Sequence, residues 1–429
     1  MAKEINMNHI CKIEGHAHLT LKIENSKVVK AELKAAEGAR FFEALVLNKK
    51  VKDVQEVVSR ICGICSCAHS VAAVQALEKA LDIRPEKKQI LIRELLTIGE
   101  RIRSHSTHLY FLALPDYLGY DSALAMNAKH PKEVNDAIYL ISTGNKIVEA
   151  AGGREIHPFL DIKEDFKLDK HGINELIERL KESLKISERT MKLFSELKYP
   201  ELRRKVDYLC LKKENGEYAN ISGKVVSNSG NLNVHDYKQH LKENIKEYAT
   251  SKFVLKDNKP YLTGAIARVK NNIEILEKEP GLKKYLNKLE ENLENPFYNN
   301  LAQAIEMHYL IKKCIGLFNE LKNIGEIIPK GETRIKEGEG VSAVEAPRGT
   351  LFHEYRINPS GEISYCNIIT PTAQNLNMME QDIIKYVDIL LEKKADKDKI
   401  VSEVEKLIRA YDPCFSCSTH FLKVKWIEE

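Results

Sequence analysis

Apolar and polar residues alternate over residues 8–36, a pattern that predicts β-strand rather than helix. Every second residue is apolar in the run HLTLKI, residues 18–23, and the alternation returns over residues 28–33. The polar residues 24–27 separate the two runs. Two alternating runs joined by a short polar turn are typical of an antiparallel hairpin. We therefore expect an N-terminal β-hairpin.

The apolar residues take up helical spacing after residue 40. This spacing predicts helices over residues 41–59, 65–81, 85–113, 131–151, 172–197 and 281–325, and two more over residues 376–411. The stretch 85–113 is apolar on much of its surface, which indicates a helix inside a helical core. Proline interrupts helices, so we expect this one to end before Pro115.

Two stretches depart from the helical pattern. Residues 200–280 contain turn residues and short mixed runs, which predict a peripheral, partly β insertion. Residues 340–370 are first glycine-rich and then β-like, with strands expected at 349–352 and 363–369. The fold class is therefore α+β and mainly α, a core bundle of long helices with an N-terminal hairpin and peripheral β segments. We expect one domain over residues 1–420 and a C-terminal tail over 421–429.

Composition places the chain among globular proteins and argues against several classes. Its 429 residues are 43% hydrophobic and 30% charged, and the net charge is only +4. Nucleic-acid binding would need a concentrated basic face, which we do not expect. The N-terminus lacks the apolar core of a secretory signal, and no apolar run reaches the length of a membrane span. Nine cysteines, an odd number, favour a reducing compartment, so we expect a cytoplasmic protein.

Two CxxC pairs lie near opposite ends of the chain. Cys62 and Cys65 form the first pair and Cys414 and Cys417 the second. Four such thiolates can bind zinc or an iron-containing centre. A structural zinc site remains open on spacing alone, whereas a thioredoxin-type redox site needs only one pair. Each pair is followed by a histidine, His69 or His420, which a closed four-cysteine zinc site does not require.

The residues around the pairs resemble the two cysteine signatures of the nickel–iron hydrogenase large subunit. Further elements resemble that family in the expected order. They are Ile13-Glu14-Gly15-His16, Glu43, Gly153-Arg154-Glu155-Ile156-His157-Pro158, Ala346-Pro347-Arg348-Gly349 and Thr370-Pro371-Thr372. The resemblance covers the chain from about residue 8 to residue 420. It implies the large-subunit fold and the reversible cleavage of dihydrogen into two protons and two electrons.

The resemblance also implies a nickel and an iron held by the four cysteines. Cys62 and Cys414 would be terminal nickel ligands, and Cys65 and Cys417 would bridge to an iron that carries cyanide and carbon monoxide. Cys414 would take the proton released by cleavage, since a metal-bound thiolate can still accept a proton. Glu14 would relay that proton.

Other matched residues would surround this centre. Arg348 would lie above the open metal position, oriented by Asp412. Pro347 and Thr372 would line the diatomic ligands of the iron, with Thr372 donating a hydrogen bond to cyanide. His69 would donate a hydrogen bond to a bridging sulfur.

A second, hard cation is implied beside the cysteine centre. Glu43, His420 and a backbone carbonyl near Ile368 would bind it, and magnesium is the expected ion.

The resemblance leaves features to be explained. Ser104 stands where many members of the family carry an aspartate. Residues 37–43 resemble the cytoplasmic, multi-subunit branch. The family commonly loses its C-terminal tail after nickel insertion, so residues 421–429 mark either a retained tail or a precursor.

The implied partners are an iron–sulfur small subunit, further electron-transfer subunits, a maturation protease and nickel-insertion factors. Two other interpretations remain: a non-catalytic homologue in an electron-transfer complex, and a zinc-stapled structural protein.

Overall fold

The computed structural model describes residues 3–35, 41–161, 170–324 and 335–419. His420 and the predicted tail over 421–429 lie outside the described residues, as do residues 37–40 of the segment that resembles the multi-subunit branch.

A three-stranded antiparallel sheet forms at the N-terminus. Its strands are β1 (Lys3–Met7), β2 (Ala17–Glu24) and β3 (Lys27–Ala35), in the order β1-β2-β3. The predicted hairpin is confirmed as β2 and β3, and β1 is an additional strand on its free edge. Leu19, Leu21 and Leu33 are buried, as the alternation requires.

The described part of the chain contains sixteen α-helices. They are α1 (Phe42–Leu45), α2 (Val51–Ser59), α3 (Ser66–Leu81), α4 (Lys87–Thr107), α5 (Leu114–Leu118), α6 (Ala123–Asn127), α7 (Pro131–Gly152), α8 (Lys170–Glu196), α9 (Tyr237–His240), α10 (Ala265–Asn271), α11 (Ile273–Leu276), α12 (Lys283–Glu290), α13 (Asn299–Lys322), α14 (Pro371–Glu392), α15 (Lys397–Ala410) and α16 (Phe415–Ser418). Helices α4, α7, α8 and α13 pack together as the core bundle. Helices α4 and α7 meet at glycines, since a Cβ on Gly144 would lie 2.6 Å from the carbonyl oxygen of Gly99.

The long core helix does not end before Pro115, so that prediction was wrong. After α4 the chain continues as a π-helical segment, His108–Ala113, and then as α5. Pro115 is the second residue of α5 and directly follows the π-helical segment, whose wider turn interrupts the regular α-helical hydrogen-bond pattern. The proline is therefore accommodated inside a longer helical rod.

Seven further strands complete the fold. They are β4 (Cys210–Lys212), β5 (Lys224–Val226), β6 (Leu241–Ile245), β7 (Lys252–Lys256), β8 (Gly338–Ala346), β9 (Gly349–Ile357) and β10 (Ile363–Ile369). Strands β4–β5 and β6–β7 form two antiparallel ribbons inside residues 200–280, while β8, β9 and β10 form one antiparallel sheet. The segment 200–280 also reaches the interior, because Asn220 and Arg268 are fully buried. The mainly helical α+β class is confirmed.

Strand β8 packs closely against α3 and brings distant parts of the chain together. A Cβ on Gly340 would lie 2.0 Å from the carbonyl oxygen of Ala76, so only glycine fits there. The sequence pattern predicted no strand in the glycine-rich stretch after residue 340, but the structure places β8 there. As a result, three segments meet at one point: the start of α3, the turn between β8 and β9, and the chain before α16.

Candidate metal centre

Four cysteine sulfurs converge where these elements meet. Sγ of Cys62 lies 3.5 Å from Sγ of Cys414, and Sγ of Cys65 lies 2.9 Å from Sγ of Cys417. All four side chains are buried, and their sulfurs lie within 4.8 Å of one another. Across the described ranges, no other set of three or more His, Cys, Asp or Glu side chains places its ligand atoms this close. Four buried soft ligands fit a thiolate-bound transition metal.

The local fold positions each cysteine pair differently. Cys65 is the N-cap of α3, and Cys62 lies in the loop before it. Cys414 precedes α16, and its backbone N–H donates to Oγ1 of Thr372 over 2.9 Å. Burial raises the pKa of Cys414 well above the usual thiol value, whereas hydrogen bonds from the other three thiols hold the pKa of Cys62 well below it. A metal bound to the four sulfurs would displace the thiol protons that now form these hydrogen bonds.

Glu14, in the loop between β1 and β2, contacts this cluster. The thiol of Cys414 donates to Oε2 of Glu14 over 2.8 Å, and the backbone N–H of Ser416 donates to the same oxygen over 3.2 Å. The backbone N–H of Phe415 also donates to the carbonyl oxygen of Glu14. Burial, and then the negative charge of Cys62, raise the pKa of this carboxyl above its ordinary value. A carboxyl that can exchange a proton therefore touches one cysteine of the cluster.

Arg348 lies beside the cluster and is held on one side. Its Nε donates to the carbonyl oxygen of Asp412 over 2.7 Å and its Nη2 to Oδ1 over 2.8 Å, while Gln303 donates to Oδ2. Burial opposes the charge of Arg348, but Asp412 and the nearby cysteine sulfurs raise its pKa well above the ordinary value. Its Nη1 is buried and has no hydrogen-bond partner in the part of the chain that the structure describes. A buried N–H group of this kind usually has a partner, and a ligand bound at the cysteine centre could accept its hydrogen bond.

A buried ion cluster supports the turn that carries Arg348. Arg268 donates from Nε and Nη2 to the carboxylate of Glu306, at 2.6 and 2.7 Å, and from Nη1 to Glu345 at 3.1 Å. It also donates to the carbonyl oxygens of Ala346 at 3.0 Å and Pro347 at 2.9 Å. All five N–H groups of this guanidinium are thereby used. The backbone immediately before Arg348 is fixed from the core.

Replacing Arg268 by methionine should destabilise the protein strongly. The variant leaves Glu306 and Glu345 as buried charges with fewer partners, which typically costs about 3–5 kcal/mol of unfolding free energy. Thermal and denaturant unfolding measure this loss. Arg203→Met is the matched control, because that side chain is 55% exposed. A change within about 0.5 kcal/mol for Arg268→Met would show that the cluster adds no stability.

The remaining predicted residues around the centre are all buried. Thr372 accepts from Cys414, and a hydroxyl that accepts one bond can still donate its own hydrogen. Nδ1 of His69 lies 3.0 Å from Nε2 of His353, and both rings are buried. The hydroxyl of Ser104, at the position of the missing aspartate, is buried without a partner among the described residues.

The predicted second-cation residues are only partly described. Oε1 of Glu43 accepts from the backbone N–H of Ile368 over 2.8 Å and from Nζ of Lys252 over 2.7 Å. Lys252 also donates to Glu243 and Asn367. The predicted third ligand, His420, lies outside the described residues. A divalent cation at Glu43 would therefore share this carboxylate with a lysine or displace it.

Sequence patterning missed the residues that support the centre from behind. Arg268, Glu306 and Gln303 occur in no cysteine motif, and their contacts come from elements distant in the chain. One signal was present: Gln303 and Glu306 are polar residues within a predicted core helix, and both are buried in α13. Buried polar residues of this kind are expected to be paired.

Fold and site together define a metal-binding protein with a buried four-thiolate centre. The pattern of the nickel-dependent hydrogenase family matches residues 40–151 and 205–420, which include all four cysteines. Glu14 and the element Gly153–Pro158 lie outside the matched residues. The chain belongs to the nickel-dependent hydrogenase family and is a large subunit of that class of enzyme.

Relatives of the whole chain agree with this assignment. The alpha subunit of sulfhydrogenase 1 from Pyrococcus furiosus is 36% identical, over 98% of this chain and 98% of its own length. An F420-non-reducing hydrogenase subunit from Methanothermobacter marburgensis is 28% identical, over 97% of this chain and 94% of its own length.

Solved structures show the same fold. An NAD+-reducing [NiFe]-hydrogenase in the H2-reduced state superposes with a TM-score of 0.86 at 24% identity, covering 97% of this chain and 99% of that chain. The Ni-Fe-Se hydrogenase of Desulfovibrio vulgaris Hildenborough gives a TM-score of 0.73 at 21% identity, covering 98% and 100%. In the described ranges, no helix is both long and apolar enough to cross a lipid bilayer.

Proposed function

We propose that this chain is the catalytic subunit that reversibly cleaves dihydrogen into two protons and two electrons, and passes the electrons to an iron–sulfur partner subunit. One observation carries the proposal: the thiol of Cys414 lies 2.8 Å from the carboxylate of Glu14 inside a buried four-sulfur cluster. A structural zinc site has no use for a carboxyl that contacts one ligand sulfur. A non-catalytic homologue would have no need of all four cysteines.

The four cysteines would hold a nickel and an iron in the roles expected from the family. Cys62 and Cys414 would be terminal on nickel, and Cys65 and Cys417 would bridge to an iron carrying cyanide and carbon monoxide. When bound, these metals would supply the chemistry that polarises the H–H bond and takes up the electrons.

The protein would supply the path for the proton. The sulfur of Cys414 accepts the proton that heterolytic cleavage releases, and Oε2 of Glu14 accepts it in turn. The N–H of Ser416 fixes that carboxylate oxygen, and the backbone pairing of Glu14 with Phe415 fixes the distance. Proton transfer needs this hydrogen-bond contact before any matching of pKa.

Arg348 would stabilise charge at the open metal position. Its guanidinium is held by Asp412 on one edge, and its Nη1, which has no hydrogen-bond partner among the described residues, would donate to a ligand bound there. A fixed, desolvated cation is worth more than one in water. Thr372, Pro347 and His69 would complete the lining, with Thr372 donating to cyanide and His69 to a bridging sulfur.

Partners follow from the same proposal. In the described ranges, the remaining cysteines form no second group of three or more metal ligands. We infer that the electrons leave through another polypeptide. The relatives named above are themselves subunits of larger enzymes. We infer an iron–sulfur small subunit, nickel-insertion factors and a protease that acts on residues 421–429. Magnesium would bind Glu43, the carbonyl of Ile368 and His420.

Metal analysis of the purified complex tests the proposal. We expect one nickel and one iron per large subunit, infrared bands of metal-bound cyanide and carbon monoxide, and dihydrogen-dependent reduction of a redox dye. Chelation that removes nickel should abolish dye reduction. One zinc per chain without nickel would refute the proposal.

A further inference from the structure

Three histidines cluster on the N-terminal sheet, apart from the cysteine centre. His9 follows β1, His16 precedes β2, and His18 lies in β2. The ring centroid of His9 lies 5.4 Å from that of His16 and 6.4 Å from that of His18. His16 and His18 are two residues apart, so both project from the same face of the strand.

The pairing of β1 with β2 places His9 between the other two. Met7 pairs with Leu19, and beyond this pair the N–H of Ile10 donates to the carbonyl oxygen of Ala17 over 3.1 Å. Ala17 is the residue between His16 and His18. Two histidines at positions i and i+2 of one strand, with a third on the neighbouring strand, can converge on one ion.

The three rings have no other polar partner among the described residues. None of their nitrogens makes a hydrogen bond there, and His9 and His16 are exposed while His18 is half-buried. Lys34 lies opposite His18 on β3, but its ammonium lies 3.6 Å from Oε2 of Glu32, which offsets its charge. The exposed rings of His9 and His16 can therefore rotate about their side-chain bonds at little cost, and the half-buried ring of His18 has no hydrogen bond to break among the described residues.

We propose that His9, His16 and His18 bind one divalent transition-metal ion of the zinc type. Neutral imidazole is a preferred ligand for such ions. Imidazoles that share a zinc ion at about 2.0 Å place their ring centroids roughly 5 Å apart, close to the separation of His9 and His16. The rings of His9 and His18 are stacked in the structure, so the His18 ring would have to rotate to bring the third nitrogen to the ion. Water would take the open position.

The site lies at the base of the loop that carries Glu14. His9 and His16 are at the two ends of that loop, so one ion bound to both would cross-link it. A ligand that binds only the folded state also stabilises that state. Zinc should therefore raise the thermal unfolding midpoint whether or not the chain cleaves dihydrogen.

Equilibrium dialysis of the purified holo-complex against zinc tests the site. Metal counting should find one zinc per large subunit beyond the metals already present. His9→Ala and His18→Ala should each weaken this binding at least about ten-fold, because two imidazoles hold the ion far less well than three. His171→Ala is the matched control, since that side chain is 85% exposed on α8, and it should leave zinc binding unchanged.

Two results would overturn the site. Zinc binding that persists in both histidine variants would exclude it. Binding lost in Cys11→Ser but kept in His9→Ala would assign the ion to the exposed thiol of Cys11. Dihydrogen-dependent dye reduction is measured separately, so failure of the zinc site and failure of the hydrogenase function give different results.

Discussion

Glu14→Gln should lower dihydrogen-dependent dye reduction by about 10²–10⁴-fold, the usual contribution of a positioned acid–base group. The amide keeps the shape of the carboxyl, and its oxygen can still accept from the N–H of Ser416. It cannot take a proton from Cys414 and release it again. The block is therefore at proton transfer, while the cysteine centre itself is unaltered.

Metal content separates this effect from simple damage to the site. Nickel and iron per chain should stay at the wild-type value in Glu14→Gln, and exchange of deuterium gas with solvent protons should fall with dye reduction. Glu24→Gln, at the exposed end of β2, should change neither quantity. Wild-type turnover in Glu14→Gln would assign the proton path to another group.

The regular elements were predictable because local patterns determine them. The alternation over residues 8–36 follows from burying one face of a sheet, and the spacing over residues 65–81 from burying a helix. Pro115 misled the prediction, since its effect depends on where the first turn of a helix falls. The glycine-rich start of β8 was not predicted as a strand either. Gly338 and Gly340 allow the strand to pack closely against α3, and that tertiary contact leaves no local sequence pattern.

The residues that the structure gathers at the cysteine centre could be predicted from the sequence, but those that support the centre could not. The two CxxC pairs and the residues Glu14 and Arg348 stand in short motifs, and their side chains lie at the centre. Arg268 is different: its five bonds reach α13, β8 and the turn after β8. Such contacts exist only after the chain has folded, so a single sequence gives them no spacing to recognise.

Cys417→Ser should reduce both nickel and iron to background and abolish dye reduction. A hydroxyl is a harder and much weaker ligand than a thiolate for these metals. As a bridging ligand, Cys417 would hold both ions, so its loss should affect iron as well as nickel. Its sulfur lies 2.9 Å from that of Cys65 and 2.8 Å from that of Cys414, so its loss removes one ligand from the middle of the cluster.

Cys67→Ser is the matched control for this variant. Cys67 is buried in the first turn of α3, two residues from Cys65, but it is not one of the four clustered thiols. Its backbone N–H bonds to Oε2 of Glu100 over 2.6 Å, a contact that serine retains. We expect wild-type nickel and iron in Cys67→Ser. If Cys417→Ser kept iron while losing nickel, Cys417 would be a terminal nickel ligand, and the division into bridging and terminal cysteines would be wrong.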